Sequence, residues 1–243
     1  MEGITRESLE GKVALIFGGS SGIGSEVVKL FKAKGAKVIV SSRTKGNTSD
    51  KDIFLPCDVT KKEEVDDTIS FIISKFGKID ILVNAMGIAG IDKIDDLDLG
   101  EWNRIITTNL TGVFLTCKAV LPSMKSNGYG KIVNVSSVAG RFRNLTAGTH
   151  YVASKAGVIG FSRQLAHEVI GYGINVNVVC PSMTLTSMLS NNVSQEDIKS
   201  LGEKIPIKRL ATPLEQAYPI LFLCTDASSY MSGSVVDVNG GQL

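Results

Sequence analysis

A tyrosine and a lysine four positions apart are the best candidates for acid–base chemistry in this 243-residue chain, Tyr151 and Lys155 in Tyr-Val-Ala-Ser-Lys. Residues i and i+4 of a helix lie on one face. A free phenol has a pKa of about 10, and a nearby ammonium favours the phenolate, so we expect Lys155 to lower the pKa of Tyr151. The pair is then a proton donor or acceptor near neutral pH. The alternative is an exposed helix pair, because this spacing is common by chance.

A glycine-rich segment follows the first apolar run, Val13 to Phe17, and reads Gly18-Gly19-Ser20-Ser21-Gly22-Ile23-Gly24. Gly19 permits a tight turn, Gly22 lets the backbone approach a pyrophosphate, and Gly24 lets a helix pack on the strand. The N-terminus of the following helix offers free N–H groups to phosphates. The position between strand and helix predicts a dinucleotide site, with an ordinary glycine turn as the alternative.

The end of the second strand indicates which nicotinamide dinucleotide is bound. In dinucleotide-binding βαβ folds, an acidic residue at the end of the second strand binds the adenosine ribose and selects NAD. Here Val40 leads to Ser41-Ser42-Arg43, with no acid. A serine hydroxyl and a guanidinium can hold a 2′-phosphate, so Ser42 and Arg43 predict a preference for NADP(H), with NAD(H) still possible. Lys45 can add charge or face water.

Short apolar runs alternate with amphipathic stretches along the whole chain. This alternation predicts an α/β fold, a single doubly wound Rossmann-type domain over residues 1–243 with a parallel seven-stranded sheet. A long helix is expected over 100–125, another over 151–170, and a loose segment over 182–209. Residues 44–52 leave little room for a helix between the second and third strands.

Composition excludes several classes of protein. Apolar residues make up 43% of the chain and the net charge is +2, which suits a globular protein and gives no basic footprint for nucleic acid. The four cysteines are far apart and there are only two histidines, His150 and His167, so no metal site is expected. No run of about 18 apolar residues predicts a membrane span, and the N-terminus has no secretory pattern. We expect a cytoplasmic protein.

The spacing of the glycines and the Tyr-x-x-x-Lys pair resemble the short-chain dehydrogenase/reductase family. Asn109 in Thr-Thr-Asn-Leu and Ser137 at the end of a predicted strand complete that family's Asn-Ser-Tyr-Lys tetrad in the same chain order. The resemblance implies that Ser137 binds the substrate oxygen and that Tyr151 transfers the proton. It also implies that Lys155 binds the nicotinamide ribose, while Asn109 distorts its helix and holds a water that links Lys155 to solvent.

The same resemblance assigns the cofactor contacts. Asp58 would bind the adenine amino group, with a helix cap as its alternative role, and Asn84 would lie near the adenosine ribose and brace the sheet. Thr186 would bind the diphosphate or carboxamide side. The full predicted set is Gly19, Ser21, Gly22, Ile23, Gly24, Ser42, Arg43, Asp58, Val59, Asn84, Gly87, Tyr151, Lys155, Pro181, Thr184 and Thr186.

Four positions depart from the family pattern. Gly18 replaces a threonine, so we expect slightly looser packing of the glycine loop. Ala85 and Met86 replace an asparagine and an alanine, which removes amide hydrogen bonds between the central strands. Ser182 replaces a glycine and is expected to restrict the turn after the sixth strand. Ser137 and Tyr151 are also one residue further apart than usual.

The substrate is a small carbonyl or alcohol compound, with walls expected from 139–150, 89–96 and 187–201. Arg141 and Arg143 can bind an anion or be solvated loop residues, and His150 is expected to be a loop residue. The pattern is close to 3-oxoacyl-thioester reductases. In such reductases, basic residues at 127–129 and 171–172 would indicate an acyl-carrier-protein partner. These positions lack basic side chains here, so a sugar, hydroxy acid or ketone substrate remains equally open. The alternative function that is not enzymatic is a catalytically silent NADP-binding module. The resemblance implies a homotetramer or homodimer.

Overall fold

The computed structural model describes residues 7–142, 147–186, 189 and 194–243. Within these ranges seven strands form one sheet: β1 Val13–Phe17, β2 Lys37–Ser42, β3 Ile53–Pro56, β4 Ile81–Asn84, β5 Gly130–Val135, β6 Ile174–Pro181 and β7 Val235–Val238. Their order is β3-β2-β1-β4-β5-β6-β7, and every neighbouring pair is parallel. The predicted doubly wound parallel sheet is confirmed.

Helices cover both faces of the sheet: α1 Gly22–Ala33, α2 Lys62–Phe76, α3 Leu99–Ile106, α4 Gly112–Asn127, α5 Thr149–Val169, α6 Gln195–Glu203 and α7 Pro213–Leu223. Side chains of a strand alternate between faces. Leu15 and Phe17 therefore enter one core with α2, α4 and α5, while Ile16 enters the other with α1 and α7. Burial on both faces explains why β1 is apolar throughout.

The predicted helix over 100–125 is continuous but irregular, because Thr107–Thr111 forms a π-turn between α3 and α4. The combined helix Leu99–Asn127 is long enough to cross a membrane, and an 18-residue stretch of it is apolar enough, with a mean hydropathy of 1.3. Val113, Cys117 and Val120 on this helix are buried in the core. A core helix meets the same length and hydropathy criteria, so this helix alone is weak evidence for a membrane span.

The segment over 182–209 is more regular than predicted, because α6 lies within it. Ser194 caps this helix by accepting a hydrogen bond from the Asp197 N–H at 3.1 Å. The Ser-x-x-Asp sequence is typical of a helix N-terminus. The many Ser and Asn residues before it are typical of a loop, so the helix was not predicted. Arg143 and Met188, which belong to the predicted substrate walls 139–150 and 187–201, lie outside the described residues.

Residues 43–52 join β2 to β3 without a helix, as the sequence predicted. The connection folds back onto the glycine loop, where the Asn47 N–H donates to the Ser20 carbonyl at 2.9 Å. Gly46 has a φ of +51°, and a Cβ there would lie 2.7 Å from the same carbonyl oxygen. The short connection therefore lies against the loop that is predicted to bind the cofactor.

Candidate active site

The predicted site residues gather at the carboxyl ends of β1, β4 and β5. The strand order reverses between β1 and β4, and in open α/β sheets ligands bind at this switch point. The Ala85 N–H donates to the Phe17 carbonyl at 2.9 Å, and the Ser136 N–H donates to the Val179 carbonyl at 2.8 Å. These bonds continue the ladder past the strand ends, so the loops that carry the candidate residues start from a rigid edge.

The glycine loop has the close backbone approaches that a dinucleotide site requires. A Cβ on Gly24 would lie 2.1 Å from the Gly18 carbonyl oxygen, so only glycine lets α1 start this close to β1. Gly22 has a φ of +52°, a conformation that side chains other than glycine rarely adopt. Ser21 stands at the N-cap with no side-chain capping bond, which leaves its hydroxyl available. The loop therefore fits a pyrophosphate.

Gly18 is held closely by its surroundings. Its φ is +77°, and a Cβ would lie 2.6 Å from the Met86 nitrogen. Its N–H donates to the Ser41 carbonyl at 2.8 Å. The looser packing expected from the missing threonine is therefore not observed, because the backbone of Ala85 and Met86 occupies the space that a side chain would need.

Asn109 lies in the π-turn and is fully buried. Its Oδ1 accepts from the Ile88 N–H at 2.8 Å, and its Nδ2 donates to the Ile88 carbonyl at 2.9 Å and to Ser154 Oγ at 3.2 Å. The amide thus binds the backbone of the segment after β4 in both directions. π-turns inside helices are frequent at functional sites, and this turn presents Asn109 to the site.

Tyr151, Lys155 and Ser137 lie together beside Asn109. The Ser137 hydroxyl donates to the phenol oxygen of Tyr151, and Lys155 Nζ is 5.9 Å from the centroid of the Tyr151 ring. Lys155 Nζ also donates to the Val135 carbonyl at 3.1 Å. A Cβ on Gly87 would lie 3.3 Å from Lys155 Nζ and 3.4 Å from Asn109 Oδ1. All four tetrad residues therefore border one space, with Gly87 at its wall.

Known proteins resemble this chain over nearly its whole length. A family model described as enoyl-(acyl carrier protein) reductase matches residues 18–242. The 3-oxoacyl-[acyl-carrier-protein] reductase FabG of Thermotoga maritima is 37% identical over 243 residues, which covers 96% of this chain and 98% of the relative. The chain belongs to the short-chain dehydrogenase/reductase family. As a member, it is an oxidoreductase that transfers a hydride between a nicotinamide and a carbonyl or secondary alcohol.

Two solved structures of this family resemble the chain closely. A short-chain type dehydrogenase/reductase from Mycobacterium marinum has a TM-score of 0.90 and 34% identity, and covers 98% of both chains. The aldohexose dehydrogenase of Thermoplasma acidophilum has a TM-score of 0.90 and 32% identity, and covers 96% of this chain and 94% of that one. The likeness extends over nearly the whole length of each protein.

The electrostatics of the tetrad differ from the sequence-based expectation. Burial raises the pKa of Tyr151, although the hydrogen bond from Ser137 opposes this effect. Burial also lowers the pKa of Lys155 to about 8, since desolvation penalises the ammonium form. The expected lowered pKa of Tyr151 is therefore wrong for this structure, because burial is the largest effect on both groups.

Asn84 belongs to the core of this short-chain dehydrogenase/reductase. Its Nδ2 donates to Asn134 Oδ1 at 2.8 Å and its Oδ1 accepts from Thr116 Oγ1 at 2.9 Å, while Asn134 Nδ2 donates to Ser162 Oγ at 2.9 Å. The predicted bracing of the sheet is observed, and Asn134 supplies the second amide that Ala85 lacks. The side chain is fully buried, so the predicted place of Asn84 near the ribose stays a prediction for its backbone.

The adenosine end of the site shows Arg43 exposed at the end of β2. Ser42 Oγ donates to the Thr44 carbonyl at 2.6 Å. Asp58 Oδ1 accepts from the Thr60 N–H and hydroxyl at 3.0 and 2.8 Å, so it forms a local turn and does not cap α2. Burial acts to raise the pKa of Asp58, but these bonds and the charge of Arg43 lower it. Val59, beside Asp58, is buried.

The segment after β6 borders the glycine loop. A Cβ on Gly22 would lie 3.3 Å from Thr186 Cγ2, so Thr186 stands beside the predicted pyrophosphate site. Thr184 Oγ1 donates to the Ser182 carbonyl at 2.9 Å. Ser182 does not have a positive φ, and its hydroxyl donates to Gln242 Oε1 at 2.6 Å. The strain expected at Ser182, which follows Pro181, is therefore not observed.

Two residues near the substrate side have roles that sequence patterns did not reveal. Ser154 accepts from Asn109 and donates to the Tyr151 carbonyl at 2.7 Å, so it links two members of the tetrad. Its position in Tyr-Val-Ala-Ser-Lys was the available signal. Arg141 pairs with Asp237 at 3.1 Å, which supports neither the anion-binding nor the solvated alternative for this arginine.

Proposed function

We propose that this enzyme reduces 3-oxoacyl thioesters with NADPH. The observation that carries the reaction is the convergence of Ser137, Tyr151, Lys155 and Asn109 at the carboxyl end of the sheet. The substrate class rests on the curated relatives, which are named 3-oxoacyl-[acyl-carrier-protein] reductases and are 36–38% identical over 96% of the chain.

The proposed chemistry begins with a carbonyl oxygen placed between Ser137 and Tyr151. Both hydroxyls donate to this oxygen as negative charge develops on it. Bound NADPH supplies the hydride to the carbonyl carbon. The Tyr151 phenol gives its proton to the oxygen, and its high pKa keeps that proton in place until the charge appears.

Lys155 and Asn109 complete the proposed proton path. The ammonium of Lys155 stabilises the phenolate left on Tyr151 and binds the ribose of the nicotinamide. With a pKa of about 8, Lys155 can release a proton near neutral pH. Asn109, fixed to Ile88 by two hydrogen bonds, orients a water that returns the proton from solvent. In the oxidative direction each transfer runs backwards.

NADPH consumption with an acetoacetyl thioester of coenzyme A tests the substrate class. We expect turnover of this thioester and little turnover of an aldohexose with NADP⁺. The aldohexose is the matched alternative, because the structure of an aldohexose dehydrogenase resembles this chain. Turnover of the sugar alone would assign the enzyme to the sugar dehydrogenases and would overturn the thioester proposal.

We propose that the acyl group of the substrate is carried by coenzyme A and not by acyl carrier protein. The two positions that lack basic side chains hold Tyr129 and Tyr172, with Lys12 Nζ at 3.5 Å and Lys125 Nζ at 4.5 Å from their ring centroids. Those lysines are engaged with the rings. A lower KM for the coenzyme A thioester than for the same acyl group on acyl carrier protein would agree with this proposal.

The preference for NADP(H) leads to a mutational prediction. Arg43→Ala should weaken NADPH binding by about 10- to 100-fold, since a charge-assisted hydrogen bond contributes about 1.5–3 kcal/mol. NADH binding should change little, because NADH has no 2′-phosphate. Lys45→Ala is the matched control, since Lys45 pairs with Asp50 on the same exposed connection. Fluorescence titration measures the six affinities of the wild type and both variants for NADPH and NADH, and equal losses for both cofactors in Arg43→Ala would contradict the assignment of Arg43.

A homotetramer is proposed, with α4 and α5 between subunits. Phe114 on α4 is 41% exposed and meets Phe161 of α5 edge to face at a centroid distance of 6.3 Å. Burial of such an aromatic pair between subunits is favourable. Light scattering should give four times the chain mass, and a monomer would contradict the proposal. We also propose a cytoplasmic location, since the four cysteines are free and buried.

A further inference from the structure

A histidine beside the site has surroundings that the proposed reaction does not use. His150 was expected to be a loop residue, but it precedes Tyr151 within α5 and is fully buried. Neither ring nitrogen has a hydrogen-bond partner among the described residues. Buried polar groups in native proteins almost always have partners, so an unpartnered one requires an explanation. The imidazole lies against the backbone of two glycines, since a Cβ on Gly90 would be 2.1 Å from Nε2 and one on Gly148 would be 2.4 Å from Cε1.

Two carboxylates face the same ring nitrogen. Nε2 is 3.7 Å from Asp92 Oδ2 and 3.8 Å from Glu101 Oε1, and the three ligand atoms lie within 4.8 Å of one another. These distances are too long for hydrogen bonds. Ligands of one tetrahedral zinc ion, at about 2.0–2.2 Å from the metal, are about 3.4 Å apart. The two distances from Nε2 exceed this separation by only a few tenths of an ångström, and the two carboxylate oxygens, which lie within 4.8 Å of one another, close the rest of the way around an ion.

We propose that Asp92, Glu101 and His150 bind one divalent transition-metal ion, of which Zn²⁺ is the type. One imidazole nitrogen and two carboxylate oxygens suit such an ion, and a water takes the fourth position. The two carboxylates attract the dication by charge, even though Glu101 also pairs with Arg104. The carboxylates of Asp92 and Glu101 are partly exposed, so an ion can reach the cluster from solvent. His150 lies on the buried side of the cluster.

Arg104 acts as the outer partner of this site. Its Nε donates to Glu101 Oε2 at 2.6 Å and its Nη2 donates to Glu101 Oε1 at 2.7 Å. These bonds lower the pKa of Glu101 and keep it ionised, and hydrogen-bonded carboxylates are common in the outer shell of metal sites. A bound ion would connect the segment of Asp92, α3 and α5 at the residue before Tyr151.

Titration of the chelator-treated, full-length protein tests the proposal. Calorimetry with Zn²⁺ should give one ion per chain, and Co²⁺ should give the visible absorption of a tetrahedral site. Asp92→Asn and Glu101→Gln are changes at partly exposed positions that preserve shape, and His150→Phe removes the nitrogen ligand. Each should weaken binding by more than the about 10- to 100-fold expected for loss of an outer partner such as Arg104.

Asp95→Asn is the matched control, since Asp95 is an exposed carboxylate on the same segment, and it should bind like the wild type. Wild-type protein that binds no Zn²⁺, or variants of the three residues that bind it unchanged, would overturn the proposal. A histidine that only gains a proton between the carboxylates would appear as an NMR titration of His150 without metal binding, which would also overturn it. No cofactor or substrate is used, so the outcome is independent of the proposed reaction.

Discussion

Tyr151→Phe should lower kcat for the reduction of an acetoacetyl thioester by about 10³-fold, within the range of about 10²–10⁴ that a positioned general acid contributes. The variant keeps the aromatic ring and loses only the hydroxyl. Among the described residues that hydroxyl receives one hydrogen bond, from Ser137. NADPH affinity and Tm should therefore stay close to the wild-type values, so that the loss appears in the chemical step.

Single-turnover kinetics with NADPH, together with a cofactor titration, separates these effects. Tyr172→Phe is the matched control, because Tyr172 is exposed and lies outside the site, and it should keep full activity. If Tyr151→Phe retains more than a tenth of the wild-type kcat, another group donates the proton and the proposed role of Tyr151 is wrong. The same result would leave the family assignment intact, since that assignment rests on the whole chain.

Lys155→Met should remove activity and at the same time stabilise the fold. Lys155 is 4% exposed, and burial lowers its pKa from 10.5 to about 8. A shift of this size corresponds to about 3 kcal/mol of unfavourable free energy for the charged form in the folded state. Methionine has a similar length and no charge. The Val135 carbonyl loses its donor, which costs about 1 kcal/mol, so the net gain at pH 7 is about 2 kcal/mol.

The gain should depend on pH in a defined direction. Because the folded state has the lower pKa, the unfolded state binds more protons between about pH 8 and 10.5, and wild-type stability rises with pH in this window through Lys155. The advantage of Lys155→Met should therefore be complete below pH 8 and shrink towards pH 10.5. Urea denaturation of both proteins at pH 7, 9 and 10 measures the difference.

Lys131→Met is the control for this experiment. Lys131 is also buried, burial lowers its pKa, and its Nζ donates to Asn175 Oδ1 at 2.8 Å. It lies in β5 outside the tetrad, so its variant should change stability without loss of turnover. A Lys155→Met protein that is less stable than the wild type at pH 7 would show that the bond to Val135 outweighs the desolvation of the ammonium.

The amino-acid sequence alone was sufficient for the architecture, and it also supplied the proposed tetrad. Apolar runs bounded by glycines predict buried parallel strands, because such strands need apolar residues on both faces. Residues 44–52 leave little room for a helix, and the structure has none there. The spacing of Tyr151 and Lys155 is a local property of one helix. Local periodicity and motif order therefore determine these features, and neither requires knowledge of distant contacts.

Only the tertiary structure determined the environment of each side chain. Asn84 is a core residue because Asn134 and Thr116, distant in the chain, complete its hydrogen bonds. The pKa values of Tyr151 and Lys155 depend on burial, which only the packed fold creates. His150 meets Asp92 and Glu101 only after folding. Desolvation and contacts between distant residues are properties of the packed molecule, and no spacing in the sequence encodes them directly.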